Sequence, residues 1–404
     1  MIDKEILKKH VVEKLENEQE VTRKKVRECI EQEMSNEKAT QYLSFMEKEE
    51  IKNELFHSIF GLDILEELLE DDSVSEIMIN GYRDIFIEKN GEIKKWDKGF
   101  ADREKLSGII QRIVSDINRR VNEKSPIVDA RLKDGSRVNV VLNPIAVNGP
   151  VVTIRKFSKE IADMDSLISL NTLDNDLACV LKKLVASGYN IFISGGTSSG
   201  KTTFLNVLSG FIGRDERVIT IEDSVELKIN NVENLVSMEV RTGSEMGEGK
   251  VEIRDLIKTS LRMRPDRVIV GEVRGAECID MLQAMNTGHD GSMSTGHGNS
   301  PKDMILRLET MVLMGIDIPV SAIRHQIASG IDIIIHLGRL RDRSRKVLWV
   351  CEIDGIKDGE ISLNTLYKFE ERGEDESGKV LGEFVKCGEL KHRGKLQRAG
   401  CSCS

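Results

Sequence analysis

Gly195-Gly196-Thr197-Ser198-Ser199-Gly200-Lys201-Thr202 is the stretch that decides the fold. It fits G-x-x-x-x-G-K-[ST] at every position. The pattern has a physical cause. Backbone N–H groups must approach phosphate oxygens closely, so side chains must be missing at the nearest points, Gly195 and Gly200. A helix opening near Gly200 would aim its positive end at a β-phosphate. Lys201 would reach the β- and γ-phosphates. The Thr202 hydroxyl, followed by Thr203 in the same turn, would complete a Mg²⁺ shell. The bland alternative is a glycine-rich turn before an ordinary helix. Context argues against it: the apolar run Ile191-Phe192-Ile193 precedes the loop, and a helical pattern over 202–208 follows.

Working outward, strands and helices alternate from Tyr189 to about residue 337, which implies a parallel sheet with helices on both faces. ATP hydrolysis needs a carboxylate that orients water in line with the γ-phosphate. Two strands end in acids. One, over 218–221, runs into Glu222 and Asp223; the other, over 267–270, runs into Gly271 and Glu272. The second resembles a Walker B strand with Gly271 where a metal-linked Asp is common. Glu272 is therefore expected to act on metal-bound water or on the attacking water, with Glu222 as the rival base. A solvated acid at a strand end is common, but two such ends behind one phosphate loop are less so. His289 and His297 bracket a turn-rich run of small residues and suit γ-phosphate sensing better than zinc. Their spacing fits no ligand pattern, and no acid or Cys completes a set. Of Arg262, Arg264, Arg267 and Arg274, one or two are expected to touch nucleotide.

Residues 1–55 are rich in Glu, Lys and Arg, lack Pro and Gly, and read as a helical N-terminal arm of long solvated helices. Residues 56–157 carry short alternating strands, two helices and Asn-Gly or Asp-Gly turns, a small α+β domain. A polar linker over 158–172 leads to a RecA-like P-loop domain over 173–370. Residues 371–404, poor in apolar side chains, read as a mobile tail. The fold class is α/β.

Composition bounds what such a chain can do. Of 404 residues, 39% are apolar but only 4% aromatic, so the core rests on Ile, Leu, Val and Met. The net charge of −9 argues against a protein whose whole surface grips nucleic acid, so no direct nucleic-acid partner is expected. Seven cysteines without zinc spacing, including the C-x-C of Cys401 and Cys403, suggest a reducing cytosol. No apolar run approaches a bilayer-spanning length, so membrane association is expected only through partners.

Together the boxes resemble those of the type II/type IV secretion ATPases, and most of all the CpaF type of Tad/Flp pilus assembly. Gly195 to Thr202 looks like the Walker A box, and Ile219 to Asp223 with Glu226-Leu227 like the "Asp box". Leu261 to Arg274 is similar to the family's unusual Walker B, and Thr287 to His297 to its "His box". The stretches Asp129 to Val141 and Thr153 to Phe157 also look like the CpaF type. The resemblance covers about residues 60–350. It implies ATP and Mg²⁺ as ligands and a homo-hexamer on the cytoplasmic face of the inner membrane. Its partner there would be a platform protein. It also implies that Arg131, Arg137 or Arg155 reaches the phosphates. Two departures stand out: the four-cysteine zinc site of some relatives is missing, and Gly298 stands where many have Ala.

Overall fold

The computed structural model describes residues 4–15, 22–37, 40, 42–59, 61–89, 91–115, 121–156, 163–241 and 249–400. The sequence expectations for the start of the linker (158–162) and for the Cys401/Cys403 tail lie outside these. The chain divides into two units, Met1–Glu160 and Ile161–Ser404.

The first unit opens with α1 (Lys4–Leu15), α2 (Arg23–Asn36) and α3 (Phe45–Ile59). Leu7, Val11 and Leu15 recur at helical spacing and bury against Val26, Ile30, Met34, Ile51 and Leu55. The arm is thus helical with its own core, where charge-rich composition had suggested long solvated helices. Next come α4 (Leu65–Glu70), β1 (Val74–Asn80), β2 (Asp84–Lys89), β3 (Glu92–Lys95), α5 (Arg103–Ser115), β4 (Ile127–Arg131), β5 (Arg137–Val141) and β6 (Val151–Arg155). The six strands form an antiparallel sheet in the order β3-β2-β1-β6-β5-β4. Side chains alternate across it: Ile77, Ile79, Val138, Val140, Val152 and Ile154 share a core with Ile109, Ile110 and Ile113 of α5.

The second unit contains α6 (Met164–Ser169), α7 (Asn175–Ala186), β7 (Ile191–Gly195), α8 (Lys201–Ser209), β8 (Arg217–Glu222), β9 (Asn234–Glu239), α9 (Ile253–Ser260), β10 (Arg267–Val270), α10 (Cys278–Asn286) and β11 (Met293–His297). It continues through α11 (Pro301–Gly315), α12 (Val320–Gly330), β12 (Ile333–Arg339), β13 (Arg345–Lys357), β14 (Glu360–Glu374), β15 (Val380–Lys386) and α13 (Gly394–Arg398). The nine strands run β15-β14-β13-β12-β7-β11-β10-β8-β9. From β12 to β9 the pairing is parallel, and β13 to β15 add an antiparallel ribbon. Strand β7 is buried along its whole length because both faces are covered. One face packs on α7 and α8, and the other on α10, α11 and α12.

Residues 371–398, expected to be a mobile tail, carry the end of β14, all of β15 and α13. Leu396 is buried in the same core as Tyr367 and Leu390, and Lys395 Nζ pairs with Asp290 and Asp332. Low apolar content misled because one buried leucine and several ion pairs anchor this segment. The second half of the expected linker is likewise helical: α6 is capped by Asp163, whose carboxylate accepts from Ser166 N. Among the described residues no helix is long and apolar enough to cross a membrane.

Candidate active site

Parallel strands deliver their carboxyl ends to one edge of a sheet, and the site is built there. Gly195 ends β7, and β11 places His297 opposite it while β12 places Leu337 opposite it. Strand β10 pairs Val270 with Ser294 and with Ile221, so Glu222 and Glu272 leave the same edge.

The loop itself is shaped by what a side chain would hit. A Cβ on Gly195 would stand 2.5 Å from Leu337 O and 2.6 Å from Ser199 Oγ. Gly200 has φ of 91° and caps α8, which begins at Lys201. Ser198 takes a left-handed φ of 58°, a conformation few non-glycine residues adopt. A Cβ at Gly196 would meet nothing within 4 Å, so the loop is open on this side. Lys201 is buried. Its Nζ donates to Gly195 O (3.2 Å) and Gly196 O (2.9 Å) and lies 3.3 Å from His297 Nδ1. Thr202 and Thr203 follow in the first turn of α8.

His297 joins the lysine to an acid: its Nε2 lies 2.8 Å from Glu272 Oε1. Burial, reinforced by the Lys201 charge, holds the imidazole below its ordinary pKa, so it is neutral near pH 7. Glu272 also accepts from Arg274 Nη2 at 2.6 Å. Arg274 Nη1 lies 3.6 Å from Asp223. Glu222 is buried, and its Oε1 accepts from the backbone N–H of Glu226 (2.9 Å) and Leu227 (3.1 Å). That carboxylate organises the turn after β8. It also explains Gly271, where a Cβ would stand 2.9 Å from Glu222 Cγ. The space a Walker B Asp would use is already filled.

The structure does not bring every expected residue here. His289 lies ahead of β11, at the opposite edge of the sheet, with Nδ1 3.1 Å from Ala284 O at the end of α10. Arg267 is buried at the start of β10, bound through both Nε and Nη2 to Glu216 and through Nη1 to Val185 O. Arg262 and Arg264 also precede β10. Of the four arginines flanking the strand, Arg274 is the one at the site.

In the first unit, register assembles a second group. Arg131 pairs with Arg137 across β4 and β5, and Arg137 with Arg155 across β5 and β6. Directly opposed residues share a face, so three arginines stand in one row, opposite the buried face. Glu76 continues the row on β1.

Two contacts to the loop come from residues the motifs did not flag. Arg345 Nε donates to Ser198 O (3.0 Å), and buried His336 holds Ser194 Oγ at 2.7 Å from its Nδ1. The run Arg339 to Lys346 was a visible basic signal, but it fits no known pattern.

The residues fit a magnesium nucleotide. Mg²⁺ favours oxygen ligands and keeps waters and phosphate oxygens, so one or two protein ligands suffice. Thr202 and Glu272 carry oxygens of that kind, and among the described residues no cluster of three or more His, Cys, Asp or Glu is found.

Such a phosphate loop, set between a buried central strand and a helix with carboxylates beside it, defines a P-loop ATPase of RecA-like architecture. The chain belongs to the type II/IV secretion system protein family, whose model matches residues 60–400. It is 45% identical over 249 residues to an uncharacterised protein of Methanocaldococcus jannaschii, covering 59% of this chain and 34% of that one. The chain thus spans about a third of that relative's length. It is 29% identical over 332 residues to a putative conjugal transfer protein of Mycobacterium tuberculosis, covering 81% of this chain and 93% of the relative. Among solved structures it shares its fold with the pilus retraction motor PilT. The TM-score is 0.53 at 19% identity, over 84% of this chain and 88% of that one. The Legionella pneumophila ATPase DotB matches with a TM-score of 0.51 at 22% identity, over 70% of this chain and 78% of that one.

Proposed function

We propose that this chain is the ATP-hydrolysing motor of a pilus or secretion machine, of the Tad/Flp assembly type. It works as a homo-hexamer on the cytoplasmic face of the inner membrane, docked on a platform protein. The observation that carries the reading is the grouping of Lys201, His297, Glu272 and Arg274 at the carboxyl edge of one parallel sheet. ATP lies along the loop from Gly195 to Thr203, with Lys201 turning from the loop carbonyls to the phosphates. Mg²⁺, when bound, offsets charge on the phosphate oxygens. Thr202 and Glu272 would hold it.

Glu272 is the better candidate for orienting the attacking water. It faces Lys201 through a neutral His297, whereas Glu222 is occupied by the turn it organises. His297 passes on the state of the γ-phosphate by moving between Lys201 and Glu272. His289, at the far edge, falls outside this proposal. Arg131, Arg137 and Arg155 belong to it as cations that offset charge on the transferring phosphoryl group.

Transport in a conjugation machine is the second reading. What favours it is that the Mycobacterium tuberculosis relative is named a putative conjugal transfer protein. A phosphate-release assay on the sized oligomer separates these readings from a switch that binds nucleotide without turnover. Lys201→Ala should abolish release, and full turnover in that variant would sink the proposal. Stimulation by platform protein and lipid supports the pilus reading. Stimulation by single-stranded DNA supports the conjugative one.

A further inference from the structure

The β12–β13 hairpin grips the phosphate loop from outside. Three adjacent contacts do this. His336 Nδ1 lies 2.7 Å from Ser194 Oγ, one residue before the loop. Leu337 O closes the space beside Gly195. Arg345 Nε donates to Ser198 O at 3.0 Å, and its Cδ lies 3.2 Å from where a Gly200 Cβ would stand. The hairpin is itself well braced. Leu340 N donates to Ser344 O (2.8 Å), and Asp342 accepts from Ser344 N (2.9 Å) and Val380 N (2.8 Å).

We propose that Arg345 is a positioning residue for nucleotide binding, fixing the peptide between Ser198 and Ser199 and with it the shape of the loop. The argument rests on reading Gly195–Thr202 as the nucleotide site. A peptide unit is planar, with its C=O and N–H pointing in opposite directions. Arg345 holds the Ser198 carbonyl, and the N–H of the same peptide, on Ser199, donates to Gly196 O at 3.4 Å within the loop, so both ends of this peptide are fixed. Ser198 needs such a hold because its φ of 58° is unfavourable for a residue with a Cβ. The contact is charge-assisted, stronger than a neutral hydrogen bond. A loop already in its binding geometry loses less freedom when nucleotide arrives. Arg345 is thus expected to act on affinity rather than on the chemical step.

The test measures binding of the fluorescent analogue mant-ADP by the full chain, together with ligand-free melting and steady-state hydrolysis. Arg345→Gln should weaken mant-ADP binding roughly five- to ten-fold and raise KM for ATP similarly. Its kcat and ligand-free melting should stay near wild type. Arg341→Gln, on the same hairpin but paired with Glu371 and Glu374, should change neither. Unchanged affinity in Arg345→Gln overturns the proposal, as does a loss matched by Arg341→Gln. If Arg345→Gln melts early, Arg345→Lys decides. It keeps the charge but lacks the mid-chain Nε–H, so weaker binding at normal melting supports the role and wild-type binding refutes it. Lys201→Ala serves as the separate control: if it binds mant-ADP as wild type does, the nucleotide-site reading itself has failed.

Discussion

Nε2 of His297 lies 2.8 Å from Oε1 of Glu272, while its other ring nitrogen faces Lys201. The imidazole therefore joins the phosphate-loop cation to one acid and leaves the other, Glu222, out of the chain of contacts. Glu272→Gln should lower kcat by about a hundredfold, the usual scale for losing a group that positions or deprotonates a nucleophile. Glu222→Gln should act mainly on stability, at about 1–3 kcal/mol, because a buried acceptor of two backbone N–H groups is weakened. Parallel measurements of phosphate release and urea unfolding check both. A Glu222→Gln protein that folds normally and loses all turnover would reverse the assignment.

Gly271 and Glu222 occupy one space. Gly271→Ala should cost about 1–3 kcal/mol, the range for overpacking a close-packed site. Adding Glu222→Ala should produce a double variant more stable than the two single losses predict, because the second change removes the clash. A denaturant double-mutant cycle measures this. Strict additivity would show that the two side chains do not compete.

The arginine row makes a prediction that separates stability from activity. Like charges directly opposed across strands are unfavourable by about 0.2–1 kcal/mol, which offsets the loss of Arg137's own contacts, so Arg137→Gln should change ligand-free melting little. If the row offsets phosphoryl charge, the same variant should lose at least about tenfold in hydrolysis. Melting curves and phosphate release on one preparation check it. Retained turnover would reduce the row to a surface feature.

Burial pushes the His336 imidazole from its ordinary 6.5 down to about 4, with Lys201 acting in the same direction and Asp303 against it. The folded protein keeps this base neutral where an unfolded chain would protonate it. Stability from this group is therefore complete above about pH 6.5 and falls as pH drops toward 4, by ~3 kcal/mol in all. His336→Asn removes the titrating ring, so its stability should depend less on pH across that window. Melting from pH 7 to pH 4.5 for both proteins gives the difference, and identical slopes would contradict the assignment.

The phosphate loop, the two acid-ended strands and the parallel sheet were legible in the sequence because each is a local rule. Glycine is needed where backbone meets phosphate, a buried parallel strand is continuously apolar, and a motif fixes order along the chain. Non-local contacts were not legible. Arg131 and Arg137 flank one turn and could be read as a pair, but Arg155 lies 18 residues beyond Arg137, and only strand register sets it beside them. A strand over 292–295 with His289 and His297 at its two ends was readable from the sequence, but that the His297 end meets the phosphate loop follows from β11 pairing with β7. Residues past 370 looked too polar to be ordered, and only the pairing of β14 with β15 and the seating of Leu396 fixed them. The sequence by itself determined the class of chemistry, since that depends on residue types at short spacing. Tertiary structure alone decided which histidine meets Lys201 and which acid stands with it. It also brought Arg345 onto the loop. Those relations depend on which strands become neighbours, and that is decided by packing of the whole sheet.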